Sequence, residues 1–460
     1  MSNRLKTLNT DPSGDFLLEG DFARELYHGH AESCPIVDFH NHLPIKDICE
    51  NRQYPDIGTL WVCSDPYKHR AMRLMGLPER VISGDASPRE KLDAWYGVLP
   101  QLICNPLYHW SFLEMKRFFG LDLWEEHVSA GELWDHCNAL LQKEDFTINS
   151  LLKKVHVTRA STSDDLLDDV RLHKKATEVS GINVTPSLRG DSIIGFQPSW
   201  MERLQAADNS LEAFLDAVSK RLDAFGENGC KLSDHALDNG FAFKKTGKER
   251  AAGLFGRLGS LDILESIELK SFILEWLARE YACRGWVMQL HIGAERWTSS
   301  RLRATAGAAG GFACPGSGCD IRSICDFLDA VDADGQMPKV ILYTLNPADN
   351  APLATMTGSF SESGVQKIKF GPAWWFNDHQ AGIEENLEVL SSYSLLSQAI
   401  GMTTDSRNVL SFSRHEYFRR ILCNYLGKKV DKGLLPKDPV LLGTIVENIC
   451  YANAEKWIYE

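Results

Sequence analysis

The sequence predicts an α/β protein: a (β/α)8 barrel of parallel strands alternating with helices, carrying a large helical insertion after the first strand. Three observations predict it. Eight short β-rich runs alternate with segments of helical period. Most runs end in polar or reactive residues, as strands do where they deliver side chains to a barrel mouth. The G-x-G-x-x-G turn that an open dinucleotide-binding sheet carries after its first strand is missing.

The runs are 35–42 (PIVDFHNH), 154–162 (KVHVTRAST), 182–190 (INVTPSLRG), 229–237 (GCKLSDHAL), 286–293 (WVMQLHIG), 339–346 (KVILYTLN), 365–371 (VQKIKFG) and 395–407 (LLSQAIGMTTDSR). Helical periods fill 210–229, which closes on a glycine, and 261–285. The interval 45–150 is far longer than a barrel loop and rich in Trp, Leu and helix formers, so it reads as an inserted helical subdomain. The chain then divides into 1–44, with the first strand, the insertion 45–150, and 151–460, the rest of the barrel with C-terminal helices. Segments 241–260 and 304–318 read as loops or lids.

Composition narrows the function. The 460 residues carry a net charge of −13 with scattered Lys and Arg, which argues against nucleic-acid binding. Local arginine clusters remain compatible with a small anion. No apolar run approaches the roughly 18 residues of a membrane span, and "MSNRLKTLNTDPSGDF" lacks the apolar core of a signal peptide. The twelve cysteines sit far apart, mostly in apolar surroundings, as free thiols do in a reducing cytoplasm. A cytoplasmic enzyme that assembles with copies of itself is the expectation.

The first run ends in His40-x-His42. Residues two apart share one face of a strand, so both imidazoles reach one point, as a divalent metal requires. Asp405 ends the eighth run, which lies beside the first in a closed barrel, and its carboxylate completes a three-sided site suited to Zn²⁺ or Mn²⁺. An N-cap for the following helix is the other reading of Asp405. His235 and His291 also end inner strands, as further ligands, substrate contacts or structural histidines. Arg189 and Arg407 stand at the mouth, where a guanidinium fork fits a carboxylate. Tyr67 and Arg70 in the insertion could reach over that mouth, and Trp374 and Trp375 offer flat rings for a sugar face or for packing.

Taken together, the motifs resemble those of the uronate (glucuronate) isomerases of the amidohydrolase superfamily. The matching segments run nearly end to end: "DFLLEGDFARELYH", "DFHNHLP", "YKHRAMR", "GDASPREKLDAW", "NPLYHW", "MQLHIGA", "ILYTLNP", "FGPAWWFND", "GMTTDSR" and "RHEYFRRILCNYLG". The resemblance implies a distorted amidohydrolase barrel with one divalent metal, often zinc. It implies interconversion of D-glucuronate with D-fructuronate, and of D-galacturonate with D-tagaturonate. His40, His42 and Asp405 match the metal ligands, and Arg189 and Arg407 the arginines around the substrate. Tyr67 matches a tyrosine near the reacting carbons, and His235 the inner-strand histidine close to the metal. Two positions depart from the pattern: Pro66 stands where a histidine is expected, and His69, which could partly compensate as a substrate contact, replaces a tryptophan. Asn41 replaces a cysteine at a position pointing away from the site. A metal-dependent hydrolase on the same barrel is the alternative, because H-x-H is shared across that superfamily.

Overall fold

The computed structural model describes residues 14–124, 127–307, 310–362 and 364–460. Residues 1–13 of the N-terminal run and 308–309 of the expected lid 304–318 lie outside the described residues. Seven parallel strands form one sheet in chain order: β1 (Ile36–Asn41), β2 (Val157–Asp165), β3 (Asn183–Arg189), β4 (Leu232–Leu237), β5 (Val287–Ile292), β6 (Lys339–Thr344) and β7 (Ile368–Phe370). The register runs Arg159 opposite Asn183, Leu232 opposite Val287, and Val287 opposite Lys339. β1 and β5 are buried along their whole lengths, as parallel strands are when helices cover the sheet.

The sheet is curled. Val37 and Phe39 of β1 share one buried cluster with Leu232 of β4, Val287 of β5, and Ile341 and Tyr343 of β6. Ala454 and Ile458 from the chain end enter the same cluster. There Lys339 donates to the Trp457 carbonyl at 2.6 Å and Arg159 pairs with Glu455 at 2.7 Å, so the C-terminal turns close the end of the sheet where strands begin.

The eighth run corrects the expectation of a strand. It forms a 3-10 turn, Leu396–Gln398, and then extended chain. Asp405 takes a left-handed backbone conformation, φ 46°, which breaks any ladder. Two bonds nevertheless lay this segment along β1: the Asp405 amide donates to the His40 carbonyl and the His42 amide to the Ser406 carbonyl, both at 2.9 Å.

Between β1 and β2 the chain is helical, including Pro66–Leu74, Pro88–Val98, Pro106–Glu114 and Ala130–Leu141. Sequence explains where these helices begin. Ser87 with Glu90 and Ser129 with Glu132 form reciprocal capping boxes. Asp65 caps Pro66–Leu74, accepting from the Tyr67 and Lys68 amides behind a first-turn proline. The expected helices over the sheet appear as Leu211–Glu227 and Ile263–Cys283. Segment 241–260 is partly helical, Lys248–Phe255. The loop near 311 packs so closely on Pro66 that a Cβ at Gly311, φ 79°, would stand 2.2 Å from the Pro66 carbonyl oxygen. All twelve cysteines are free, and no helix among the described residues is long and apolar enough to cross a membrane.

Candidate active site

Strand ends and neighbouring loops surround a cavity of about 500 Å³, walled by His42, Tyr67, Arg189, Asp405 and Arg407 among others. Its floor is the expected trio. Asp405 Oδ1 lies 2.9 Å from His42 Nε2 and 3.3 Å from His40 Nε2. Burial alone would raise the Asp405 carboxyl, but hydrogen bonds from both histidines and their charges hold it well below the ordinary carboxylate range. Burial lowers His42 toward the neutral, ligating form, whereas Asp405 outweighs the same effect at His40 and raises it. Two imidazoles and one carboxylate converging within these distances are a donor set that could hold a metal ion.

Asp38 fixes this arrangement. Fully buried, it accepts from the Thr404 amide and His415 Nε2, both at 2.9 Å, from Asn41 Nδ2 at 3.2 Å, and from Thr403 Oγ1 at 3.1 Å. The Thr403 hydroxyl also accepts from the His40 amide at 2.8 Å. The strand carrying the histidines is thereby tied to the segment carrying Asp405. Asn41 faces this brace, its side-chain oxygen accepting from the Leu43 amide, and not the cavity.

The arginines at the mouth differ in their partners. Arg189 donates to Asp191 at 3.2 Å. Arg407 makes no hydrogen bond or ion pair among the described residues, and desolvation together with the like charge of Arg189 lowers its pKa. A guanidinium left open beside this candidate metal site is a receptor for a planar anion. On the opposite wall the Tyr67 hydroxyl donates to Asp378 Oδ2 at 2.7 Å, and burial followed by the charge on Asp378 pushes the phenol well above its ordinary range. Arg70 lies over the Phe376 ring and Arg296 over Trp375, both at 4.9 Å.

Four expected contacts are placed elsewhere. His235 is fully buried on the far side of β4, its ring 3.0 Å from the Tyr281 hydroxyl and tight against Gly190, where a Cβ would come within 2.0 Å. Its neighbour Asp234 faces inward instead, 3.9 Å from His40 Nδ1, because alternate residues of a strand face opposite ways. His291 lies beneath the trio, stacked on Tyr343 with ring centroids 4.6 Å apart, and burial pushes it well below the ordinary histidine range. His69 is buried behind the cavity wall, lowered by desolvation. Trp374 spends its indole N–H on Asp405 Oδ2 at 2.7 Å, and of this adjacent pair it is Trp375 that lines the cavity. Pro66 starts its helix and lines the cavity, where it offers no proton.

Sequence reasoning missed Asp38, Asp234, Asp378 and Arg414. Asp234 was visible as the residue before His235, one step out of phase. Arg414 and Asp378 sit in the "RHEYF" and "WWFND" motifs, yet nothing in their spacing announces that they meet.

A curled parallel α/β sheet that gathers two histidines and an aspartate under an arginine-walled cavity defines an enzyme site for a small anionic molecule. Comparison with known proteins makes this particular: the chain belongs to the glucuronate isomerase family, whose model matches residues 8–458. That membership makes it an isomerase of uronates. It is 41% identical over 456 residues to the uronate isomerase of Geobacillus thermodenitrificans, covering 96% of this chain and 97% of that one. It is 42% identical over 458 residues to that of Mannheimia succiniciproducens, covering 96% and 98%. The crystal structure of uronate isomerase from Thermotoga maritima superposes with a TM-score of 0.90 at 31% identity, covering 97% of this chain and 99% of that one.

Proposed function

We propose that this chain interconverts D-glucuronate with D-fructuronate, and D-galacturonate with D-tagaturonate, by proton transfer through a cis-enediol. The observation that carries the reading is one cavity holding an unpaired guanidinium, Arg407, over the His40–His42–Asp405 trio, with the Tyr67 hydroxyl on the facing wall. Membership of the glucuronate isomerase family supports the choice of substrate.

His40, His42 and Asp405 would hold one divalent ion, Zn²⁺ or Mn²⁺, which supplies Lewis-acid polarisation of sugar oxygens when bound. The remaining work falls to side chains. Arg407 and Arg189 grip charged oxygens and fix orientation, giving binding energy remote from the reacting bond. Asp405, a carboxylate kept ionised, takes the hydroxyl proton as the sugar ring opens. Tyr67 removes the proton from C2 and returns one to C1. The architecture we assign is the eight-fold barrel, closed by segment 403–406 against β1, with 45–150 as a helical insertion. Twelve free thiols favour a cytoplasmic location.

A coupled assay on both uronates after chelation and metal add-back tests the reading. Activity on at least one uronate, lost on chelation and restored by Zn²⁺ or Mn²⁺, is expected. Turnover of an amide or lactone with none of either uronate would overturn it in favour of a hydrolase.

A further inference from the structure

The wall behind Tyr67 holds a buried charge cluster that the reaction above does not use. Asp378, 5% exposed, accepts from the Tyr67 hydroxyl at 2.7 Å and from Arg414 at 3.1 Å. Arg414 is also buried and is fixed by a second bond, 2.7 Å, to the Thr404 carbonyl. Beyond Arg414, Lys68 is enclosed between Asp65 at 2.6 Å and Glu114 at 3.4 Å. His379 adjoins Asp378, and Asp65 and Glu114 face Arg414 from the insertion. Three carboxylates therefore face two cations, and burial raises both Asp378 and Glu114 toward holding a proton.

Two further features give a proton moving through this wall a direction. Tyr67 lines the cavity whereas Asp378 does not, so of this hydrogen-bonded pair the phenol is the one that can touch substrate. The phenolic hydrogen points away from the cavity into Asp378, which leaves an oxygen lone pair free on the substrate side. A brace needed only for packing would be complete with Arg414 and Asp378 alone.

We infer that Asp378 is a positioning residue acting through Tyr67 as its proton relay, with Arg414 holding the carboxylate in place. In the forward direction the C2–H bond breaks, its electron pair enters the enediolate, and the proton binds the Tyr67 oxygen as the phenolic proton moves to Asp378 Oδ2. In the second half the O2 hydroxyl proton passes to O1 as the C2 carbonyl forms, Tyr67 gives a proton to C1 and recovers one from Asp378, so the wall returns to its starting charge. This rests on the reading of Tyr67 as the group that handles the carbon-bound proton.

The test is a double-mutant cycle of Tyr67→Phe and Asp378→Asn in the metal-loaded enzyme. Each single variant should lower kcat by about 100-fold or more while KM changes little. The double variant should be no slower than Tyr67→Phe, because the two act as a unit. Asp378→Asn with unchanged kcat, or effects that multiply, overturns the relay and leaves Tyr67 in its role. Tyr67→Phe with unchanged kcat overturns the reading beneath it. Since the asparagine leaves Arg414 unneutralised, a second measurement uses wild-type protein: single turnover of C2-deuterated glucuronate in light and heavy water. A slower rate in heavy water is expected, because the relayed phenolic proton exchanges with solvent. Equal rates overturn the relay.

Discussion

Asp38→Ala tests whether the tie between β1 and the 403–405 segment builds the metal site. The carboxylate is fully buried and accepts from four groups. After its removal Thr403 retains the His40 carbonyl at 2.6 Å, so the Thr404 amide, His415 Nε2 and Asn41 Nδ2 are the donors left stranded. At about 1–3 kcal/mol for each buried unpaired donor, partly relieved by relaxation, the loss comes to about 3–5 kcal/mol. That is a large share of the roughly 5–15 kcal/mol that holds an ordinary domain together. Because the same bonds orient His40 against Asp405, metal affinity should fall about 10–100-fold as well. Urea unfolding gives the first quantity, and titration with Zn²⁺ followed by elemental analysis gives the second. An unchanged midpoint together with full metal content would refute the argument. Asp38→Asn, which keeps an acceptor for one or two of the donors, should fall between.

Other consequences are more local. His40→Ala and His42→Ala should each reduce bound metal while leaving the circular dichroism spectrum unchanged, since neither ring supports the hydrophobic clusters. Arg407→Gln should shift stability by no more than about 0.5 kcal/mol, because Arg407 has no hydrogen-bond or ion-pair partner among the described residues. It should instead raise the KM for glucuronate about 10–100-fold, the worth of one charged hydrogen bond; an unchanged KM would remove Arg407 from the site. Gly190→Ala forces a methyl into the His235 ring and should destabilise by about 1–3 kcal/mol in urea titration. Lys369 is lowered by burial from 10.5 to about 8, so the unfolded chain binds more protons than the folded one between those values. Stability from this lysine should therefore rise as pH increases from about 8 to 10.5, and Lys369→Met should abolish that part of the rise.

How much was legible follows from what sequence periodicity can encode. The seven strands were visible because parallel strands buried on both faces read as short apolar runs; the ends of β1 and β3 named His40, His42 and Arg189, and the end of the eighth run named Asp405. The H-x-H pair needed only two-residue alternation. Asp405 needed one further fact, that the last run lies beside the first, and the two backbone bonds to β1 bear this out even though no strand forms there. His235 lies on the face away from the cavity for a physical reason. In a strand as short as β4 a one-residue error in phase exchanges the inner and outer faces, and the outer histidine meets Tyr281 through Nε2. Trp374 and His291 were placed near the right chemistry and in the wrong layer: both pack around the trio instead of lining the cavity. Asp378 and Arg414 were invisible as a pair because one comes from the loop after β7 and the other from the helix Arg414–Asp431. Their meeting depends on tertiary packing that no local pattern specifies.

The most direct measurement is conversion of D-glucuronate by the Zn²⁺- or Mn²⁺-loaded protein in heavy water, with the ketose analysed by NMR. Proton transfer through an enediol, with the proton held on Tyr67 exchanging with solvent before it reaches C1, predicts D-fructuronate carrying solvent deuterium at C1. Ketose formed with no deuterium at C1, or no ketose at all from the loaded protein, would contradict it.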